Sequence, residues 1–129
     1  MEPAWLGIAE AGRLFRSGEL SPVEVVRALL ERIDDVDCRV HAFIRTTPEA
    51  ALDQARRAEA DLASGRIRGP LHGIAYALKD NIDVAGLPTT CNSKILADNI
   101  AKADAAVVRR MRDAGAILVG KTAMHEFAT

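Results

Sequence analysis

The sequence predicts an α/β protein: helices in its first half, then the first strands of a sheet covered by helices. Three observations lead there. Apolar residues recur at helical spacing between residues 21 and 62. Two short apolar runs, Ile74 to Leu78 and Ala116 to Val119, lack alternation and read as strands buried on both faces of a largely parallel sheet. A helical pattern lies between those runs, so strand, crossover and strand follow in the order that a parallel pair needs.

Each element has its own signals. Residues 6 to 16 suit a short helix that stops near Ser17-Gly18. Ser21-Pro22-Val23-Glu24 predicts a second helix start, because the serine can cap, the proline fits the first turn and the glutamate can complete a capping box. Val23, Val26, Leu30, Ile33 and Val36 then share a face. Val40 to Arg45 reads as a short extended stretch. Thr47-Pro48-Glu49 opens a third helix, with Leu52, Ala55, Ala58 and Leu62 facing inward. Asp53 and Arg57 are spaced to pair on it, and Gly65 is its expected stop. The turn-rich Gly69-Pro70-Leu71-His72-Gly73 leads into the first strand. Asp104 is the expected cap of a fourth helix through about Ala114, with Val107, Val108 and Met111 turned inward and Gly115 ending it.

Length and composition bound the class. The 129 residues suit one domain or a piece of one. A formal net charge of −1 offers nothing to steer the chain toward nucleic acid or an anionic membrane. With aromatics at 4%, base-stacking platforms are excluded as well. Cys38 and Cys91 form no CxxC pair, which argues for reduced thiols and against a disulfide framework or zinc knuckle. Met1-Glu2-Pro3 lacks a basic leader, and the apolar runs are too short to span a bilayer, so the expected location is the cytoplasm.

Lys79 closes the first apolar run and precedes Asp80-Asn81. Ligands gather at the carboxyl ends of strands in such sheets. A lysine there either faces solvent or a carboxylate, or is partly desolvated and acts as a base. Gly115-Ala116-Ile117-Leu118-Val119-Gly120-Lys121-Thr122 matches the phosphate-binding loop pattern by letter. A helix precedes Gly115, however, and four strand formers lie between the glycines, so helix cap, strand and turn is the better account. His41, His72 and His125 lack metal-ligand spacing, and Thr129 stands where a second zinc-protease histidine would fall. Asp80 and Asp83 are expected to organise loop backbone. Ser21 and Ser64 read as helix punctuation, and Ser93 and Cys91 have no nucleophile context.

Gly69-Pro70-Leu71-His72-Gly73-Ile74, followed by Lys79-Asp80-Asn81-Ile82-Asp83-Val84-Ala85-Gly86-Leu87-Pro88-Thr89-Thr90, resembles the amidase-signature family. So do Ala114 to Thr122, Met124 and Glu126-Phe127-Ala128. The resemblance runs from about residue 6 to the end. It departs from the family pattern at Ala75, where proline is common, and at Asn92, where glycine is frequent. Ala123 and His125 replace the commoner asparagine and aspartate.

The resemblance implies a mixed, largely parallel sheet covered by helices, incomplete here. Residues 1–129 would form the N-terminal portion of a single amidase domain, with a helical part over 1–68 and the first βαβ part over 69–129. The family's glycine- and serine-rich part would follow. It implies an amidohydrolase that cleaves a carboxamide C–N bond with a Ser-cisSer-Lys triad. Lys79 would be the catalytic lysine, the only triad member in these residues, so the 129-residue chain alone is expected to be inactive. Thr129 would lie beside the substrate pocket. No metal or organic cofactor is implied. The expected partners are a small-molecule amide and, in the full-length protein, further copies or other subunits, without direct contact to nucleic acid or membrane. One alternative is a non-catalytic module that complements a serine-bearing partner chain, and another is a P-loop-like nucleotide binder. A piece of a sheet would leave strand edges and apolar faces uncovered.

Overall fold

The computed structural model of the protein describes residues 2–128. Its elements run α1 (Ile8–Ser17), α2 (Pro22–Val40), β1 (Phe43–Thr46), α3 (Pro48–Ala63), β2 (Ala75–Lys79), α4 (Ala106–Asp113) and β3 (Ile117–Thr122), with short 3₁₀ turns at Pro3–Trp5, Lys94–Leu96 and Glu126–Ala128. The strands form one mixed sheet in the order β1-β3-β2. β2 runs parallel to β3, and β1 runs antiparallel to it. This is the α/β architecture expected from the two apolar runs and the helix between them.

Local chemistry sets the helix ends close to where their signals lie in the sequence. Ser21 Oγ accepts from Val23 N at 2.9 Å, and Glu24 returns to accept from Ser21 N at 2.9 Å, which completes the capping box. Gly18 and Gly115 take left-handed conformations at the ends of α1 and α4. Val26, Leu30, Ala51, Ala55 and Ala58 of α2 and α3 pack on Ile117 and Val119 of β3. On the other face, Leu118 joins Leu78, Val84 and Val108. β3 is therefore buried on both sides, and its residues alternate between two apolar clusters. β1 comes close enough that a Cβ on Gly120 would meet the Arg45 carbonyl at 2.5 Å, so this crossing admits only glycine.

Several details differ from the sequence reading. Among the described residues β2 lies at the edge of the sheet, with Ala77 and Lys79 exposed and Leu78 buried. Its apolar composition is shared by interior and edge strands, and only the neighbours decide. α2 continues through Val40, so the extended stretch begins at Phe43. Asp53 pairs with Arg56 at 2.6 Å, three residues on, instead of Arg57, since both spacings reach the same helix face. Thr47 makes no capping bond, and its hydroxyl donates to Leu118 O at 3.0 Å. Asp104 does not cap α4 either: its carboxylate accepts from Ala85 N at 2.8 Å and pairs with Arg112. Val107 faces solvent, because Val108 takes the inward direction and a neighbour on a helix is turned well away.

Candidate active site

Lys79 is the last residue of β2, opposite Thr122 of β3. Alternation along the strand turns Leu78 into the core and Lys79 outward. Its Nζ donates to Ala123 O at 3.0 Å. Ala123 is itself held, since its N–H donates to Ala42 O at 2.8 Å. None of the ion pairs among the described residues involves Lys79. The amine therefore stands at the carboxyl end of a parallel strand, with one N–H anchored on main chain.

The residue after it behaves in the opposite way. Asp80 is 1% exposed and Lys121 is 0% exposed. They form an ion pair at 3.0 Å. Asp80 also accepts from Thr90 N at 3.1 Å and from the Thr90 hydroxyl. Lys121 further donates to Pro88 O at 3.2 Å and Thr89 Oγ1 at 3.4 Å, so all three ammonium donors have acceptors. Burial by itself raises the Asp80 carboxyl. The Thr90 hydroxyl, Lys121 and the Thr90 N–H together outweigh burial and hold the group below its ordinary value of 3.8. Asp80 does organise loop backbone, as expected from sequence, but its pairing with Lys121 is visible only in three dimensions.

This assignment of Lys121 removes the phosphate-loop alternative. The stretch from Ile117 to Thr122 is a strand buried nearly throughout, and its lysine is spent on Asp80, so it presents neither a loop of free amides nor a free ammonium. Ser93 is buried and caps the turn at Lys94–Leu96. Cys91 and Asn92 adopt left-handed backbone, and Cys91 N donates to Asp80 O at 2.9 Å. His72 is buried, and its Nδ1 accepts from Arg68 N at 3.0 Å, which makes it a structural residue. No group of three or more His, Cys, Asp or Glu among the described residues is placed to hold a metal ion. No helix among them is long and apolar enough to cross a membrane. Thr129 lies outside the described residues.

A cleft of about 310 Å³, lined by Arg57, Asp61, Arg68, His72 and Arg112 among others, opens at Gly115–Ile117, the far end of β3 from Lys79. Lys79 does not line this cleft. Fold and site together define an α/β protein that displays an anchored lysine at the carboxyl end of a parallel strand, backed by a buried ion pair.

Comparison with known proteins identifies the family. The family model described as Amidase matches residues 24–129. The A subunit of glutamyl-tRNA(Gln) amidotransferase from Moorella thermoacetica is 44% identical over 128 residues, covering 99% of this chain and 26% of the relative. The protein of the same name from Salinispora tropica is 49% identical over 120 residues, covering 93% of this chain and 24% of its own length. The crystal structure of native peptide amidase from Stenotrophomonas maltophilia superposes with a TM-score of 0.89 at 38% identity, over 96% of this chain and 26% of the enzyme. The chain belongs to the amidase family, the amidase-signature enzymes, and spans about a quarter of the length of the curated relatives it matches.

Proposed function

We propose that this chain is the lysine-bearing part of an amide-cleaving enzyme in which Lys79 is the proton-transfer base. The observation that carries the reading is the anchoring of Lys79 Nζ on Ala123 O at the carboxyl end of β2. One N–H is taken up by that carbonyl, which leaves the rest of the amine open to a second partner. The unprotonated amine would accept the proton of a bridging serine hydroxyl while that serine accepts the proton of the nucleophilic serine. Attack on the amide carbonyl then gives an acyl-enzyme, and the proton returns to the departing nitrogen. The two serines would come from further sequence of the enzyme or from a partner chain. Thr129 would line the substrate pocket. No metal or organic cofactor takes part, and the enzyme would work in the cytoplasm on a small-molecule amide, as a homo-oligomer or hetero-complex.

The names of the relatives favour a second, more specific reading. Two relatives at 44% and 49% identity are amidotransferase A subunits. On that reading the amide is glutamine and partner subunits are required.

Replacing Lys79 with alanine in the full-length enzyme tests the base. The expected result is loss of amide turnover by about 10²–10⁴-fold, and near-normal turnover rejects the assignment. Intact mass and subunit composition of the purified protein separate the two readings: a lone active enzyme supports the hydrolase, and obligatory co-purifying subunits support the amidotransferase.

A further inference from the structure

We infer that Lys121, through its buried pair with Asp80, is a positioning residue that fixes Lys79 for proton transfer. The inference rests on the reading of Lys79 as the base. The Gly-Lys-Thr letters at the end of β3 thereby acquire a role in amide cleavage.

The connections run in both directions from Lys79. Along its own strand, the next residue is Asp80, whose N–H continues the ladder to Thr122 O at 3.1 Å and whose carboxylate is held by Lys121. Across the sheet, the carbonyl that anchors Lys79 Nζ belongs to Ala123, two residues beyond Lys121. The ion pair therefore ties together the two strand ends between which the Lys79 side chain is stretched. It also gathers the returning loop, because Pro88, Thr89 and Thr90 all bond to one member of the pair and Cys91 N bonds to the Asp80 carbonyl. Phe127 N in turn donates to Cys91 O at 3.0 Å, so the segment after β3 closes on the same loop.

A simpler structural unit would not need a charge. An apolar pair of similar volume is often as stable as a buried ion pair or more so. What the charges add is direction: three ammonium donors and the carboxylate acceptors fix both strand ends at defined distances. Proton transfer requires that kind of placement, since a misplacement of about 1 Å costs about 10²-fold in rate.

The test uses the full-length enzyme and ammonia release from a primary amide on which wild-type turnover has been established. Thr90→Val removes the hydroxyl that donates to Asp80 and accepts from Asn92 N, and leaves the ion pair, and Thr90→Ser restores the hydroxyl. Lys121→Met removes the ammonium. For Thr90→Val, kcat should fall about tenfold, comparable to one lost hydrogen bond, with KM within about twofold. Thr90→Ser should recover most of the loss. Folded Lys121→Met should lose about 10²-fold in kcat. If Lys121→Met does not fold, the double variant Asp80→Asn with Lys121→Met, which removes the pair without leaving a buried charge, takes its place. Wild-type kcat in whichever of these folds overturns the positioning role while Lys79→Ala remains inactive. Turnover retained by Lys79→Ala overturns the base assignment and the positioning role with it.

Discussion

Lys121→Met is the most informative single perturbation of the fold. It deletes an ammonium that is fully enclosed and leaves Asp80, also enclosed, with only Thr90 to bond its charge. Removing one partner of such a pair costs about 3–5 kcal/mol, because the remaining charge is buried and uncompensated. Pro88 O and Thr89 Oγ1 each lose a donor as well. The double variant Asp80→Asn with Lys121→Met removes both charges and keeps an acceptor for Thr90, so it should be more stable than the single by about 1–3 kcal/mol. The pH dependence has a definite sign. In the wild type, Asp80 sits below 3.8, so its contribution is complete above that value and is lost as pH falls through the folded-state value. In Lys121→Met, burial goes unopposed by the ammonium and the folded-state value moves up. The deficit of the variant against wild type should therefore shrink between about pH 7 and about pH 4. Denaturant unfolding of the full-length protein and both variants at the two pH values measures this. A single-variant loss under about 1 kcal/mol, or a double variant no better than the single, refutes the view that an uncompensated charge dominates.

Two further outcomes follow from local chemistry. Ser21→Ala removes the acceptor for Val23 N and half of the capping box, and should cost about 1 kcal/mol in the same unfolding assay; an unchanged midpoint would show that α2 is held by its packed face alone. His72 is pushed below 6.5, first by burial and then by Arg68, against a smaller opposing effect of Asp61. Its contribution is complete above 6.5 and is lost as pH falls through the folded-state value, so thermal stability should decline on acidification from about pH 7.5 to about pH 5.5, and less steeply in His72→Gln. Equal slopes for the two proteins would assign the decline to other groups.

The start of α2 and the stops of α1, α3 and α4 were legible because their causes are local. Ser21, Pro22 and Glu24 act within one turn, and Gly18, Gly65 and Gly115 take left-handed conformations that side chains resist. The order of strand, crossover and strand was legible for the same reason. What each strand would touch was not. Ile74 to Leu78 and Ala116 to Val119 have the same apolar character, yet among the described residues β3 lies between two strands and β2 beside one. Asp104 is a good capping residue by type, but Ala85 N and Arg112 compete for its carboxylate from 19 and 8 residues away. Contacts of that range have no periodic trace.

The two lysines near the strand ends show where such reading stops and what replaces it. Leu78 pairs in register with Lys121, and Lys79 with Thr122, so the lysines sit one step apart on adjacent strands. Motif letters would have assigned Lys121 to phosphate and composition would have left Lys79 ordinary. The structure separates them by one test, the presence of a buried acceptor set. Lys121 meets a carboxylate, a carbonyl and a hydroxyl and is enclosed, while Lys79 meets one carbonyl and stays exposed. A lysine satisfied on all three donors is held in its place, whereas one held by a single bond keeps capacity for a second partner. That asymmetry is what favours the proposed division of labour, with Lys121 as the support and Lys79 as the base.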